Sequence, residues 1–213
     1  MIYIFNEMET FSDEDYYHYL PLVSDERLKK INCYHFMKDK KLSLLAYLLL
    51  RIGLLLEYEI KEKCIFKYKV NNKPYLERYN NIFFNLSHCK NGVACVLSKF
   101  EVGIDIQELT EYLESDAQIV LSKSEISLIS SRNNKDELFT TLWALKESYV
   151  KQQGLGISDE LRNLNFTNFS WHPFYLYDCI FSINKLDDAI LSTCSSEFLD
   201  IYYIKKSDFS MLK

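Results

Sequence analysis

The stretch from Lys38 to Glu57 restricts the possible folds more than any other part of this chain. Leu42, Leu45, Leu49, Ile52 and Leu56 recur at three- and four-residue spacing, which predicts a helix with one continuous apolar face. That stripe needs a partner to cover it. The greasiest run, Leu44 to Leu56, is broken by Arg51, which lies off the stripe, and by Gly53. It is too short to span a bilayer. A core helix of a soluble domain is the reading that fits.

Composition supports this where it bears on the fold. Of 213 residues 48% are hydrophobic and 26% charged, an ordinary balance for a globular protein and the wrong one for disorder. Five glycines and three prolines exclude long flexible or Pro-rich linkers, and the length suits one large domain or two small halves. Six cysteines, at 33, 64, 89, 95, 179 and 194, form no C-x-x-C pair and have no histidine at zinc-site spacing. The start, MIYIFNEMETF, lacks the basic and small-residue features of a secretory signal and reads as a first strand. Buried thiols in a cytoplasmic protein are expected.

The net charge of −5 argues against nucleic acid, but it averages unlike segments. Met1 to Glu26 contains seven acids and no Lys or Arg. Arg27 to Arg51 contains seven bases against the single acid Asp39, and Glu101 to Glu160 is acidic again. Taken alone, such runs describe solvated helix faces; the basic block could also serve a nucleic-acid-binding module.

Ile65 to Val70 alternates as a strand does and leads into the turn Asn71-Asn72-Lys73-Pro74. Phe83 to Ser87 and Val93 to Ser98 are strand candidates around Asn91-Gly92, a strong hairpin signal. Glu101 to Gln107 is another alternating strand, and Lys135 to Gln153 is a long helix that Gly154 ends. From Leu161 onward aromatic and polar residues alternate, with a closing strand pair expected at Ala189 to Thr193 and Phe198 to Ile204. The class is α+β.

Three groups of residues can carry chemistry. On the strand EVGIDIQ, Val102, Ile104 and Ile106 face one way and Gly103, Asp105 and Gln107 the other. Asp105 and Gln107 can converge on a hard cation, while Gly103 leaves room for a ligand to approach the backbone. An edge strand with one wet face is the plainer reading of the same residues. In LWALKESYVKQQG, Trp143, Glu147 and Lys151 share a helix face, with Lys146 to one side. As a lone pair Glu147 and Lys151 would be an exposed salt bridge worth roughly 0.3–0.5 kcal/mol. Ser87 and His88 end a greasy strand beside the hairpin turn. No P-loop, dinucleotide fingerprint or nucleophile elbow is present, so ATP or NAD binding by those routes and serine hydrolysis have little support.

In order, the pieces NKP (Asn72 to Pro74), FNLSH (Phe84 to His88), VGIDIQ (Val102 to Gln107) and LWALKESYVKQQGLGI (Leu142 to Ile157) resemble one family. It is the 4′-phosphopantetheinyl transferases, of the larger surfactin-type branch. Clear similarity covers about Asn72 to Ser158, and the W-x-x-K-E-S-x-x-K string is its specific part. The resemblance implies transfer of the phosphopantetheine arm of coenzyme A to a serine of an apo acyl or peptidyl carrier protein, with release of 3′,5′-ADP. It also implies a pseudo-dimer of two similar α+β halves, residues 1–100 and 101–213, joined near Phe100 with the active site in the cleft between them.

Transferred residue by residue, the resemblance makes Asp105, Glu147 and Lys151 catalytic. Asp105, Glu147 and Gln107 become ligands of magnesium, or of manganese. Lys73, Pro74, Ser87 and His88 match contacts to the nucleotide of coenzyme A, and Lys38 and Lys41, with Lys29 and Lys30, are candidates for its 3′-phosphate. Length implies a monomer, and neither nucleic acid nor membrane is an expected partner. The resemblance does not single out carrier proteins of fatty-acid, polyketide or peptide synthesis. Three positions depart from the family pattern. Gln107 replaces a carboxylate, Cys89 a serine and Asn72 a glycine. The loss of charge at Gln107 motivates the rival reading, a non-catalytic binder of coenzyme A or carrier protein.

Overall fold

The computed structural model describes residues 1–155 and 159–213. In chain order the elements are β1 (Ile2–Phe5), α1 (Asp13–Tyr19), α2 (Asp25–Asn32), α3 (Met37–Tyr58), β2 (Phe66–Tyr68), β3 (Pro74–Leu76), β4 (Phe83–His88) and β5 (Val93–Ser98). They continue with β6 (Gly103–Glu108), α4 (Glu114–Val120), α5 (Lys123–Ser130), α6 (Lys135–Gln153), β7 (Phe174–Leu176), β8 (Cys179–Lys185), β9 (Ala189–Ser195) and β10 (Ile201–Tyr203). The end of the matching string, Gly156 and Ile157, lies outside the described residues, as does Ser158. The chain forms two compact units, one of residues 1–100 and 199–213, the other of residues 101–198.

In the first unit α3 packs on a sheet of order β10-β1-β5-β4. Gly53 sets how closely the helix approaches: a Cβ there would lie 2.5 Å from Leu97 Cδ1 and 2.7 Å from the Tyr3 ring. The expected helix is present, but its burial is not confined to one stripe. Every residue from Leu42 to Leu54 is buried, whereas Leu56 is exposed. Arg51, off the stripe, is buried too, because its guanidinium donates to the carbonyls of Leu22, at 3.0 Å, and Lys61. The preceding helices α1 and α2 are short, seven and eight residues, and capping marks their starts. Ser12 accepts from the Asp15 N–H in a full capping box, and Ser24 accepts from the Arg27 N–H. Their acids sit in the first turns and Lys29 and Lys30 in the last turn of α2. These acids and the Lys29–Lys30 pair complement the helix dipoles, whereas Lys38, Lys40 and Lys41 sit at the start of α3.

In the second unit α6 lies on a fully antiparallel sheet of order β6-β9-β8-β7. Gly103 again marks the closest approach. A Cβ there would stand 2.0 Å from the Ser148 carbonyl oxygen and 2.5 Å from the Gln152 nitrogen. The space expected for a ligand at Gly103 is therefore filled by the backbone of α6. Each unit is a long helix across a four-stranded sheet, so the fold is α+β in two halves of one pattern.

The closing strand pair is corrected. β9 pairs with β6 and β8, but β10 pairs in parallel with β1, Ile201 beside Ile2, which returns residues 199–213 to the first unit instead of the second half. Phe166, Phe169 and Trp171 lie in connecting segments, and only Phe174–Leu176 and Cys179–Lys185 of the aromatic-rich stretch form strands. Four cysteines are buried; Cys33 is exposed and Cys89 half-buried. Among the described residues no helix is long and apolar enough to cross a membrane.

Candidate active site

Because Gly103 faces α6, strand alternation turns Asp105 and Gln107 toward the same helix. Asp105 is buried, 4% exposed, and its Oδ1 lies 2.6 Å from Lys151 Nζ. Glu147, one turn before Lys151, is 6% exposed, with Trp143 one further turn back on the same helix. Burial holds the Glu147 carboxyl above the usual carboxylate range and the Asp105 charge pushes the same way, with Lys151 and Trp143 opposing. The shared face of α6 thus becomes a site only where β6 crosses it. Gln107 is half-buried two residues on, opposite Ile190 of β9.

Two carboxylates and an amide oxygen on this face are hard donors of the kind a divalent cation of the magnesium class takes. The mutual repulsion that raises Glu147 is also what such a cation would relieve. Among the described residues no group of three or more His, Cys, Asp or Glu forms a ready-made cage. Further oxygens would come from water or a bound substrate. Lys146, beside Glu147 in sequence, is not on this face and is completely buried against Glu125 at 2.7 Å.

The remaining expected residues belong to the first unit. Ser87, buried, and His88, exposed, end β4 opposite Ala94 and Val93, and the turn beyond them is closed by the Cys89 N–H donating to Gly92 O at 2.9 Å. Lys73, buried, and Pro74 follow the tight turn between β2 and β3, where Lys69 N–H donates to Lys73 O at 3.0 Å. Lys38 is exposed on the first turn of α3. Lys41 is engaged by Asp13, at 2.7 Å, and by the Phe11 carbonyl, at 2.9 Å.

A cavity of about 440 Å³ lies elsewhere in the basic block, lined by Arg27, Lys29, Lys30 and Lys67 with the rings of Phe66 and Tyr68. Neither Lys38 nor Lys41 lines it. Arg27 is fixed by the Ser43 carbonyl, at 3.2 Å from Nε and 2.6 Å from Nη2, and lies over the Phe66 ring. Burial and the Arg27 charge hold the Lys30 ammonium below its usual range. Lys67, Phe66 and Tyr68 are functional candidates that sequence reasoning missed. The signal lies in IFKYKV, where aromatic and basic residues alternate along the strand.

Comparison with known proteins gives two matching family models. Residues 101–196 match the 4′-phosphopantetheinyl transferase superfamily and residues 10–99 the N-terminal part of a 4′-phosphopantetheinyl transferase. The chain belongs to the 4′-phosphopantetheinyl transferase superfamily. It is 28% identical over 150 residues to the 4′-phosphopantetheinyl transferase Sfp of Bacillus subtilis, covering 69% of this chain and 67% of that protein. With the 4′-phosphopantetheinyl transferase gsp of Aneurinibacillus migulanus it shares 33% over 138 residues, 63% of this chain and 57% of that one. With the L-aminoadipate-semialdehyde dehydrogenase-phosphopantetheinyl transferase of Candida glabrata it shares 29% over 143 residues, 62% and 55%. All three are named as transferases, which gives no support to a non-catalytic binder.

Two departures from the superfamily pattern have a physical explanation. Asn72 sits at φ 62°, in the left-handed region, where asparagine is the side chain that best replaces glycine. At Cys89 it is the backbone N–H that closes the turn, a bond indifferent to the side chain. Gln107 keeps an oxygen donor but loses a charge.

Proposed function

We propose that the protein transfers the 4′-phosphopantetheine arm of coenzyme A to a serine hydroxyl of an apo acyl or peptidyl carrier protein, releasing 3′,5′-ADP. The observation that carries this is a buried Glu147, its carboxyl raised by burial and by Asp105, one turn from Lys151. A carboxylate whose proton affinity is raised toward neutrality is a better general base than an ordinary one. In this reading Glu147 takes the proton as the serine oxygen attacks the pantetheine-bearing phosphorus. The bond from that phosphorus to the bridging oxygen of the pyrophosphate breaks, and the electron pair leaves with the adenosine phosphate. Lys151 offsets the charge that develops there.

Magnesium, or manganese in its place, would be held by Asp105, Glu147 and Gln107 and would neutralise pyrophosphate charge. For the nucleotide end, the cavity of Arg27, Lys29 and Lys30 combines cations with the aromatic faces of Phe66 and Tyr68. That favours Lys29 and Lys30 over Lys41, already engaged by Asp13, for the 3′-phosphate. Lys73, Pro74, Ser87 and His88 would complete the nucleotide contacts. Exposed Leu109, Leu113 and Ile119, on the segment after β6, support carrier docking there. The same reading has the protein working as a monomer in the cytoplasm.

The test is incubation with coenzyme A, magnesium and apo carrier proteins from fatty-acid, polyketide and peptide synthesis. A gain of one phosphopantetheine in carrier mass is expected. Unmodified carriers throughout would overturn the proposal.

A further inference from the structure

Lys146 has no part in the chemistry above, yet it is the most deeply buried cation among the described residues. It is 0% exposed, and its Nζ lies 2.9 Å from each of the carbonyl oxygens of Val120, Leu161 and Leu164 and 2.7 Å from Glu125 Oε2. Glu125 is also 0% exposed. Its Oε2 accepts from the N–H and hydroxyl of Ser122 at 2.8 and 2.9 Å, and its Oε1 accepts from the Phe166 N–H at 2.9 Å. The end of α4, the start of α5 and the segment 161–166 therefore all meet at one ammonium on α6.

A buried ion pair is a poor means of gaining stability, since apolar side chains of similar volume often serve as well or better. What it adds is discrimination, because a shifted helix would strand two buried charges. We infer that Lys146 is a positioning residue for the transfer reaction, acting through Glu147 by fixing the rotation of α6. The geometry has a second half. Ser148, on the other side of Glu147, joins its Oγ to Ser192 Oγ of β9 at 2.9 Å, and the Ser148 carbonyl rests over Gly103. Successive helix residues are about 100° apart, so Lys146 and Ser148 anchor α6 on either side of the residue between them. A roll of about 20° would swing a carboxylate roughly 6 Å from the axis by roughly 2 Å, and 1 Å is enough to cost about 100-fold in rate.

The inference rests on the transferase reading, and its test separates the two. In Lys146→Met/Glu125→Gln neither residue is left as an unpaired buried charge, and the single amide oxygen of the glutamine can keep the contacts to Ser122 or the one to Phe166. The double variant is expected to fold and to lose about 100-fold in kcat with little change in KM for coenzyme A. A folded double variant with native kcat would overturn the inference. Should it fail to fold, Glu125→Gln alone retains the lysine and its carbonyl acceptors; about tenfold lower kcat is expected there, and native kcat again overturns the inference. An independent readout is the indole ¹⁵N–¹H resonance of Trp143, one turn from Glu147 on the same helix and an influence on its carboxyl. A shift or broadening in the variants reports displacement of Glu147 even if the wild-type chain transfers nothing, the result that would sink the transferase reading by itself. An unmoved resonance would leave Lys146 a purely structural role.

Discussion

Burial and the Asp105 carboxylate hold the Glu147 carboxyl above its ordinary range, and this carries a penalty in stability as well as a benefit in reactivity. Between the unfolded glutamate pKa and the raised folded one, the native state binds more protons than the unfolded state. Stability therefore falls as pH rises through that window. Above it, the ionised Glu147 remains a net burden. Glu147→Gln should abolish most transfer yet raise Tm at pH 7–8, measured by thermal unfolding with a chelator present, and the gain should vanish near pH 4. Lys151→Ala should abolish most transfer too, but lower Tm, because it leaves Asp105 and Glu147 uncompensated. Equal signs for the two variants in the melting experiment would contradict this electrostatic account. Gln107→Glu should keep transfer intact and lower the magnesium concentration needed for half-maximal rate, since it adds a charged oxygen donor.

The two helix–sheet contacts differ in what opposes a side chain at the glycine. At Gly53 the obstacles are Leu97 Cδ1 and the Tyr3 ring, side-chain atoms that can move aside. At Gly103 they are the carbonyl oxygen of Ser148 and the nitrogen of Gln152, so α6 itself must shift. Overpacking of this kind typically costs about 1–3 kcal/mol, and Gly103→Ala should fall at or beyond the upper end, with Gly53→Ala below it. Urea unfolding of both variants checks the order. Gly103→Ala should also lose transfer, because lifting α6 parts Asp105 from Lys151.

Across the whole chain, the last fifteen residues complete the unit that contains the first hundred. β10 adds a parallel edge to β1, and Ile204, Phe209 and Leu212 are buried in that unit's core. Phe209, fully buried, packs against the rings of Phe5, Phe11 and Tyr19. Phe209→Ala should cost about 3–5 kcal/mol, read from denaturant unfolding. A chain ending at Phe198 should become sensitive to proteolysis first within residues 1–100. Early cleavage confined to 101–198 would argue against that assignment.

Several parts of the molecule were legible in the sequence because their determinants are local. The period of α3, the Gly154 stop of α6 and the Asn91-Gly92 turn are set by neighbours a few residues away. The strand face Gly103, Asp105, Gln107 and the helix face Trp143, Glu147, Lys151 follow from periods of two and about 3.6. The capping serines of α1 and α2 are local determinants as well. Tertiary structure alone decided the rest. It brought Asp105 to within 2.6 Å of Lys151, forty-six residues on, and filled the space beside Gly103 with helix backbone. It engaged Lys41 with Asp13, opened a cavity at Lys29 and Lys30, and buried Lys146 among four oxygens. The physical reason is that a lysine's role depends on which carbonyls and carboxylates the fold brings around its ammonium, and those come from distant parts of the chain.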